Sequence, residues 1–152
     1  MENRKRGKVK MSEAVNYSDL KPAEVRRLIR EGKITCPTSG MCAGYAQANL
    51  VILPKDLAYD FLLFTQRNPK PCPILEIMDG SPLVHDMGEG ANIVTDIPRY
   101  FIYKNGVKVD EVTDASEYWQ DDFVGFLIGC SFSFEEIREE FPDAVNLLQS
   151  EL

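Results

Sequence analysis

Histidine, tryptophan and paired cysteines are scarce in this chain of 152 residues. It has one histidine, His85, one tryptophan, and four cysteines among which no C-x-x-C pair occurs. Zinc sites usually take their ligands from closely spaced pairs of such residues, so neither zinc nor another metal is predicted. A serine–histidine–aspartate triad would depend on His85, which we interpret as a residue of the glycine-rich loop 79–90. No residue pattern calls for a cofactor.

Long apolar runs and an excess of positive charge are also absent. No stretch approaches the roughly 20 apolar residues that span a bilayer, and the basic start of the chain is not followed by the apolar core of a secretory leader. The net charge is −7, so binding to nucleic acid is not expected. We therefore expect a cytoplasmic protein with no membrane partner, in which residues 1–17 form a flexible basic tail. In that compartment Cys36, Cys42, Cys72 and Cys130 are expected to be reduced thiols.

The composition, 44% hydrophobic and 27% charged residues, is typical of a globular protein. The length suits one domain, which we assign to residues 18–152. Its first element is predicted to be a helix over residues 22–30, because Pro22 suits a first helical turn and Gly32 follows the last turn. The buried face of this helix is expected to comprise Val25, Leu28 and Ile29.

A second helix and two short strands follow along the chain. Four apolar residues in a row, Leu50 to Leu53, predict a strand that is buried on both faces. Pro54 ends that strand, and residues 55–66 are predicted to form a helix before a proline-rich segment. Residues 74–77 are predicted to form the second strand. The apolar face of the helix is expected to comprise Leu57, Phe61 and Phe64, with Ala58 and Leu62 beside them.

Two further apolar segments differ in how clearly they can be interpreted. Asn105-Gly106 lies between two runs of strand-forming residues, 100–103 and 107–109, which is a strong signal for a β-hairpin. The apolar run 123–129 is ambiguous between helix and strand, although its spacing suits a buried helix that Asp121 would cap.

The last structural signal is a capping box, because Ser133 is followed three residues later by Glu136. It predicts that a helix begins after Ser133. Helices together with at least one buried strand predict an α/β fold, with helices packed on a mixed sheet and one β-hairpin added.

A series of short motifs resembles a known family. The motifs are Thr38-Ser39-Gly40, Gly44-Tyr45, Gln47-Ala48-Asn49-Leu50, Asp60 to Phe64, Gln66 to Pro73, Thr95 to Tyr100 and Gly129 to Glu135. Their order resembles the hydro-lyase family of the YcsI type, to which mammalian D-glutamate cyclase is similar, over about residues 26–136. Members of that family are generally longer, so we expect this chain to correspond to the first part of such a protein.

The resemblance implies a reaction in which D-glutamate is cyclised to 5-oxoproline with loss of water. Such a reaction requires a grip on the substrate carboxylate, hydrogen-bond donors for the developing oxyanion, and a path for the proton. The predicted substrate-binding residues are Thr38, Ser39, Gly40, Tyr45, Gln47, Asn49, Arg67, Asn68 and Ser133. The predicted catalytic residues are Asp96, Cys130 and Ser131. The central expectation is that the turn at Gly40 and the segment at Ser131 converge on a compact anion.

Several of these residues also have structural interpretations that the sequence leaves open. The Gly40 segment could be a tight turn, Gln47 and Asn49 could support their own loop, and Arg67 could neutralise a helix C-terminus. Asp96 precedes Ile-Pro, as is common in turns. Ser133 could serve only as a helix cap, and Cys130 could be a buried inert thiol.

Three functions are compatible with these residues. The first is a hydro-lyase that acts on a small amino-acid carboxylate. The second is a binding module without activity, favoured by Asn92 and Val94, which stand where the family has an acid and an arginine, and by Cys36, where glycine is common. The third is half of an assembly, completed by a second copy of the chain or by a separate polypeptide.

Overall fold

The computed structural model describes residues 16–130 and confirms the α/β class. Within this range, two helices and five strands occur in the order α1, β1, α2, β2, β3, β4, β5, with short 3₁₀ turns at Tyr17–Asp19 and Ser116–Tyr118. The helices are α1 (Pro22–Arg30) and α2 (Lys55–Arg67); the strands are β1 (Ala48–Pro54), β2 (Ile74–Asp79), β3 (Tyr100–Lys104), β4 (Val107–Val112) and β5 (Phe123–Gly129). Neither helix of this described part is long and apolar enough to cross a membrane.

Strand β5 is the centre of the main sheet, whose order is β1–β5–β2 with antiparallel pairing on both sides. Its interior residues are buried whichever face they occupy. Val124, Phe126 and Ile128 pack beneath α2, while Leu127 joins a cluster on the opposite face. The ambiguous run is therefore a strand, because a central strand covered on both faces carries apolar residues at every position.

Strand β1 is an edge strand, so the prediction that it is buried on both faces was wrong. It pairs only with β5, and its residues are half-buried or exposed. Leu50 and Ile52 pack towards the cluster that includes Leu127, and Val51 and Leu53 pack towards α2. The residues of β1 are apolar because they contact neighbours on both faces of the sheet. They are not fully buried, because β1 lies at the edge of the sheet.

Both predicted helices are present, but the buried face of α2 differs from the prediction. Ala58 and Thr65 are buried, whereas Leu57 and Phe64 are 52% and 53% exposed. Thr65 is tolerated inside because its hydroxyl donates a hydrogen bond to the carbonyl of Leu62 at 2.8 Å. The face that packs on β1 and β5 thus follows Ala58, Phe61, Leu62 and Thr65.

The predicted hairpin is confirmed as β3 and β4. Asn105 and Gly106 both have positive φ, 51° and 76°, as two-residue hairpin turns of the primed type require. The helix predicted after Ser133 lies outside the described residues.

The centre of β5 has no room for a side chain at Gly125. A Cβ atom added there would overlap Cδ1 of Ile93 and lie 3.0 Å from Cε of Met78. Gly125→Ala is therefore expected to lower the free energy of unfolding by about 1–3 kcal/mol, measured by urea denaturation. The matched control is Gly88→Ala, where the nearest atom would lie at an ordinary 3.5 Å. Equal losses in the two variants would contradict this explanation.

Candidate functional site

The register of the main sheet brings three separate segments to one end. Ala48 at the start of β1 pairs with Gly129 at the end of β5. Ile74 at the start of β2 pairs with Ile128, and the N–H of Gly129 donates to the carbonyl of Pro73 at 2.9 Å. Since β1 and β2 are both antiparallel to β5, their first residues lie beside the last residues of β5.

We call this the Gln47 end of the sheet: Gln47 precedes β1, Pro73 precedes β2, and Cys130 follows β5. Helix α2 returns to the same end, because it starts directly after β1 and packs back across that strand. Its 13 residues span about 20 Å and the seven residues of β1 about 23 Å. Arg67 at the end of α2 is thus near the level at which β1 begins.

The predicted turn at Gly40 is attached to this end by Gln47. The N–H of Met41 donates to the carbonyl of Thr38 at 3.0 Å, which closes a β-turn with Gly40 in its third position at φ +76°. The Thr38 hydroxyl donates to Oε1 of Gln47 at 3.2 Å, and Nε2 of Gln47 donates to the carbonyl of Met41 at 3.0 Å. Thr38 and Gln47 therefore hold the turn against the start of β1.

A second β-turn follows and presents Tyr45. The N–H of Tyr45 donates to the carbonyl of Cys42 at 3.1 Å, and Gly44 in the third position has φ +80°. The start of this turn is fixed from outside, since the N–H groups of Cys42 and Ala43 donate to the carbonyls of Tyr17 and Ser18. The side chain of Tyr45 is half exposed.

Seven of the nine predicted binding residues, all except Gly40 and Ser133, divide into two groups by what their side chains contact. Thr38, Gln47 and Asn68 use their side chains to support the backbone; Asn68 donates to the carbonyl of Phe64 at 2.8 Å and so caps α2. A second group is exposed, and its side chains form no hydrogen bond or ion pair within residues 16–130: Ser39, Tyr45, Asn49 and Arg67. This second group provides hydroxyl, amide and guanidinium donors around the Gln47 end.

The predicted catalytic residues are only partly visible. Cys130 is half-buried directly after β5, and so lies at the Gln47 end. Ser131 lies outside the described residues, as does the predicted binding residue Ser133.

Asp96 is attached to α1, with its side chain only 4% exposed. Its Oδ1 accepts from Nη1 of Arg30 at 2.7 Å and from the hydroxyl of Thr95 at 2.8 Å. Its Oδ2 accepts from the N–H of Asn92 at 3.0 Å and lies 3.6 Å from Nε of Arg26. Asp96 thus holds α1 against the 92–96 segment, and acting as a base would require it to exchange these partners for the substrate.

Helix α1 also links Asp96 indirectly to the turns. Val25 and Ile29 on its buried face pack with Met41 and Cys42. Burial raises the pKa of the Cys42 thiol, which the nearby Arg26 only partly opposes. Cys42 is therefore a packed thiol that is protonated at neutral pH.

Glu76, a buried carboxylate on β2, was missed by the sequence interpretation. It is 8% exposed and accepts from the N–H groups of His85, Asp86 and Met87 at 2.7, 3.1 and 2.8 Å. Burial raises the pKa of Glu76, but the three N–H donors together hold it below its ordinary value of 4.5. The signal in the sequence was an acid inside a predicted strand, shortly before a glycine-rich loop. His85 is an exposed residue of that loop, as predicted.

Gly40 is needed for its backbone conformation rather than for lack of space. A Cβ atom added there would meet nothing within 4 Å, but φ is +76°. Gly40→Ala is therefore expected to lower the free energy of unfolding by about 1–2 kcal/mol, which thermal or urea denaturation measures. Gly40→Asn, which tolerates this φ better, should lose less. The same loss in both variants would show that another effect dominates.

Fold and site together define a small α/β domain in which exposed hydrogen-bond donors lie on segments that border one end of an antiparallel sheet. No family model matches the chain. Among relatives whose name begins "Putative hydro-lyase", the chain is 66% identical over 122 residues to one from Clostridium beijerinckii. It is 61% identical over 127 residues to one from Thermoanaerobacter pseudethanolicus and 61% over 118 residues to YcsI of Bacillus subtilis.

These three alignments cover 80%, 83% and 77% of this chain, but 47%, 48% and 46% of the relatives. Over the matched residues the chain belongs to the hydro-lyase family of the YcsI type, as its motifs predicted. It spans about half the length of the curated relatives it matches.

Proposed function

We propose that this chain acts as a hydro-lyase that converts D-glutamate to 5-oxoproline and water. The observation that carries the lyase class is its 61–66% identity to proteins named as hydro-lyases. The choice of D-glutamate goes further and rests on the resemblance of the motifs to the family that includes D-glutamate cyclase. The gathering of donors at the Gln47 end supports a carboxylate as the bound group.

In this proposal the substrate α-carboxylate binds Arg67 at the end of α2. A guanidinium presents paired N–H donors that match the two oxygens of a carboxylate. Arg67 is exposed and forms no ion pair within the described part of the chain. Binding of the substrate carboxylate therefore does not require Arg67 to break an ion pair with an acidic residue of that part. Asn49 is a second donor on the same side of the sheet, because it pairs with Ile128, which packs against α2.

The reaction then takes place at the other carboxyl group. The ammonium group first gives up one proton, and the amine nitrogen then attacks the carbon of this second carboxyl group, so that the C–N bond forms. The nitrogen gives up a second proton, and the C–O bond breaks as the departing oxygen takes both protons and leaves as water. The hydroxyls of Ser39 and Tyr45 are proposed to stabilise the oxyanion, since preorganised donors are worth most where charge develops. Cys130 and Ser131 are the proposed proton carriers. Asp96 is assigned to holding α1 in the resting protein and becomes a base only if Arg30 releases it.

The activity is tested by incubating the purified chain with D-glutamate and detecting 5-oxoproline by mass spectrometry. We expect product from D-glutamate and much less from L-glutamate. No product at high protein concentration would remove the proposal that this chain alone is active.

Binding is tested separately by calorimetry with D-glutamate. Arg67→Gln is expected to weaken affinity at least tenfold, because a hydrogen bond to a charged group contributes about 1.5–3 kcal/mol. The matched control is Arg27→Gln, because the Arg27 side chain is 57% exposed on α1 and, within residues 16–130, pairs only with Glu31. Equal affinity in wild type and Arg67→Gln would contradict the assigned role. Binding without turnover would instead support the non-catalytic module.

A second candidate, half of an assembly, is favoured by the length of the relatives. The chain spans about half of each, and Leu57 and Phe64 leave apolar surface exposed on α2. The occupant would be a second copy of this chain or the remaining half of the family's fold. Sedimentation of the chain alone, and with the unmatched half of the Clostridium relative added, tests this. A monomer under both conditions would exclude it.

A further inference from the structure

Two cysteines lie opposite each other where β2 and β5 meet at the Gln47 end. Ile74 pairs with Ile128 in the antiparallel register. The N–H of Gly129 donates to the carbonyl of Pro73 at 2.9 Å, so the pairing continues one residue beyond the ladder. One residue further along each chain lie Cys72 and Cys130.

The two chains also approach closely at this point, because Gly129 has no side chain. A Cβ atom added to it would lie 2.9 Å from Cγ of Pro73. Cys72 packs against the cluster beneath α2 that includes Ile128. Cys130 follows Ile128 by two residues, and alternate residues of an extended chain share a face. Both thiols are thus expected on the α2 side.

The separation expected from this register suits a disulfide. Residues directly opposite in antiparallel strands have Cβ atoms about 4.5–5.5 Å apart, and disulfides need about 3.5–4.5 Å. Both residues lie just outside the ladder, Cys72 in a bend and Cys130 after the last residue of β5, where a small shift is tolerated. Cys42 is enclosed by α1 and Cys36 is exposed in another segment.

We propose that Cys72 and Cys130 form a site of reversible oxidation by peroxide. One thiolate attacks the O–O bond, which gives a sulfenic acid and releases water once a proton is taken up. The second thiol then attacks that sulfur: the S–S bond forms, the S–O bond breaks, and a second water leaves. Two electrons pass from the sulfurs to one peroxide, and a dithiol reductant reverses the step.

The disulfide would join the proline-rich segment before β2 to the residue that follows β5. Both segments border the Gln47 end, where the proposed substrate binds. Oxidation would therefore restrict the relative motion of two walls of that site. The cross-link itself does not depend on the proposed function, so failure of one leaves the other standing.

The test is to oxidise the folded, reduced chain with a slight excess of hydrogen peroxide, alkylate the remaining thiols and map the peptides after trypsin digestion. Trypsin separates Cys72 from Cys130 and leaves Cys36 and Cys42 together in a third peptide. We expect a dominant Cys72–Cys130 cross-link that dithiothreitol removes. Cys72→Ser and Cys130→Ser should each abolish it, and Cys36→Ser should leave its yield unchanged within about twofold.

Three results would overturn the proposal. They are oxidation of Cys72 or Cys130 to sulfinic acid without a cross-link, cross-links mainly through Cys36, and an equal yield in urea, where the strand register is lost. The wild-type map decides these outcomes even if a serine variant fails to fold.

Discussion

Glu76→Gln is expected to lower the free energy of unfolding by about 3 kcal/mol. The carboxylate of Glu76 accepts three consecutive N–H groups from residues 85–87. Glutamine keeps one acceptor oxygen but directs an NH₂ group at donors, and bonds to charged groups contribute about 1.5–3 kcal/mol each. The expected loss is smaller than the sum of three such hydrogen bonds, because water can solvate the N–H groups once the loop opens. Urea denaturation at neutral pH measures the loss.

The control for this variant lies in the same loop. Glu89 is exposed, so Glu89→Gln should change the free energy of unfolding by less than about 0.5 kcal/mol. Hydrogen exchange should show faster exchange at residues 85–87 in Glu76→Gln and unchanged exchange in the β3–β4 hairpin. A loss below about 1 kcal/mol would mean that these N–H groups find other partners.

The stabilisation from Glu76 should depend on pH in a defined direction. Its pKa in the folded chain is below the ordinary value of 4.5, because the N–H donors outweigh the effect of burial. Ionised Glu76 therefore favours folding; its contribution is complete above about pH 5 and is lost as pH falls through the folded pKa. The difference between wild type and Glu76→Gln should shrink in acid. A difference that grows below pH 4.5 would contradict this.

Asp96→Asn is expected to lower the free energy of unfolding by about 2–3 kcal/mol and to loosen α1. Removing one partner of a buried ion pair costs about 3–5 kcal/mol. The expected loss for Asp96→Asn is smaller because the side chains of Arg26 and Arg30 are 21% and 46% exposed, so water can solvate their charges. Urea denaturation measures the total, and hydrogen exchange should locate the faster exchange in residues 22–30.

The matched control for Asp96 is an exposed acid that also forms an ion pair. Asp79 lies 3.1 Å from Nζ of Lys55, with 59% of its side chain exposed. Asp79→Asn should change stability by less than about 1 kcal/mol. Equal effects of Asp79→Asn and Asp96→Asn would show that burial of Asp96 is not decisive.

The elements that could be predicted are those whose signals are local. Pro22 and Gly32 bracket α1, and Asn105-Gly106 defines the hairpin, because a few neighbouring residues determine each backbone conformation. Strand β5 could not be identified in this way. An apolar run of its length fits a buried helix or a central strand, and only its two neighbouring strands decide between them.

The candidate site shows the same division. The contacts that join the Gly40 turn to Gln47 are formed within one short stretch of the chain, residues 38–47. The charged partners of Asp96 are remote: Arg30, for example, is 66 residues away in sequence. Glu76 was missed because its donors are backbone N–H groups of residues 85–87, which only the folding of the intervening loop brings to the carboxylate. Such partners depend on tertiary packing, which no local pattern records.

The central claim is that the Gln47 end binds a small carboxylate. The most direct test is a titration of the ¹⁵N-labelled chain with D-glutamate, followed by amide chemical shifts. We predict saturable shifts concentrated in residues 38–49, 67–73 and Cys130, with the β3–β4 hairpin unaffected. Saturable shifts confined to the hairpin, or no shifts at high millimolar D-glutamate, would contradict it.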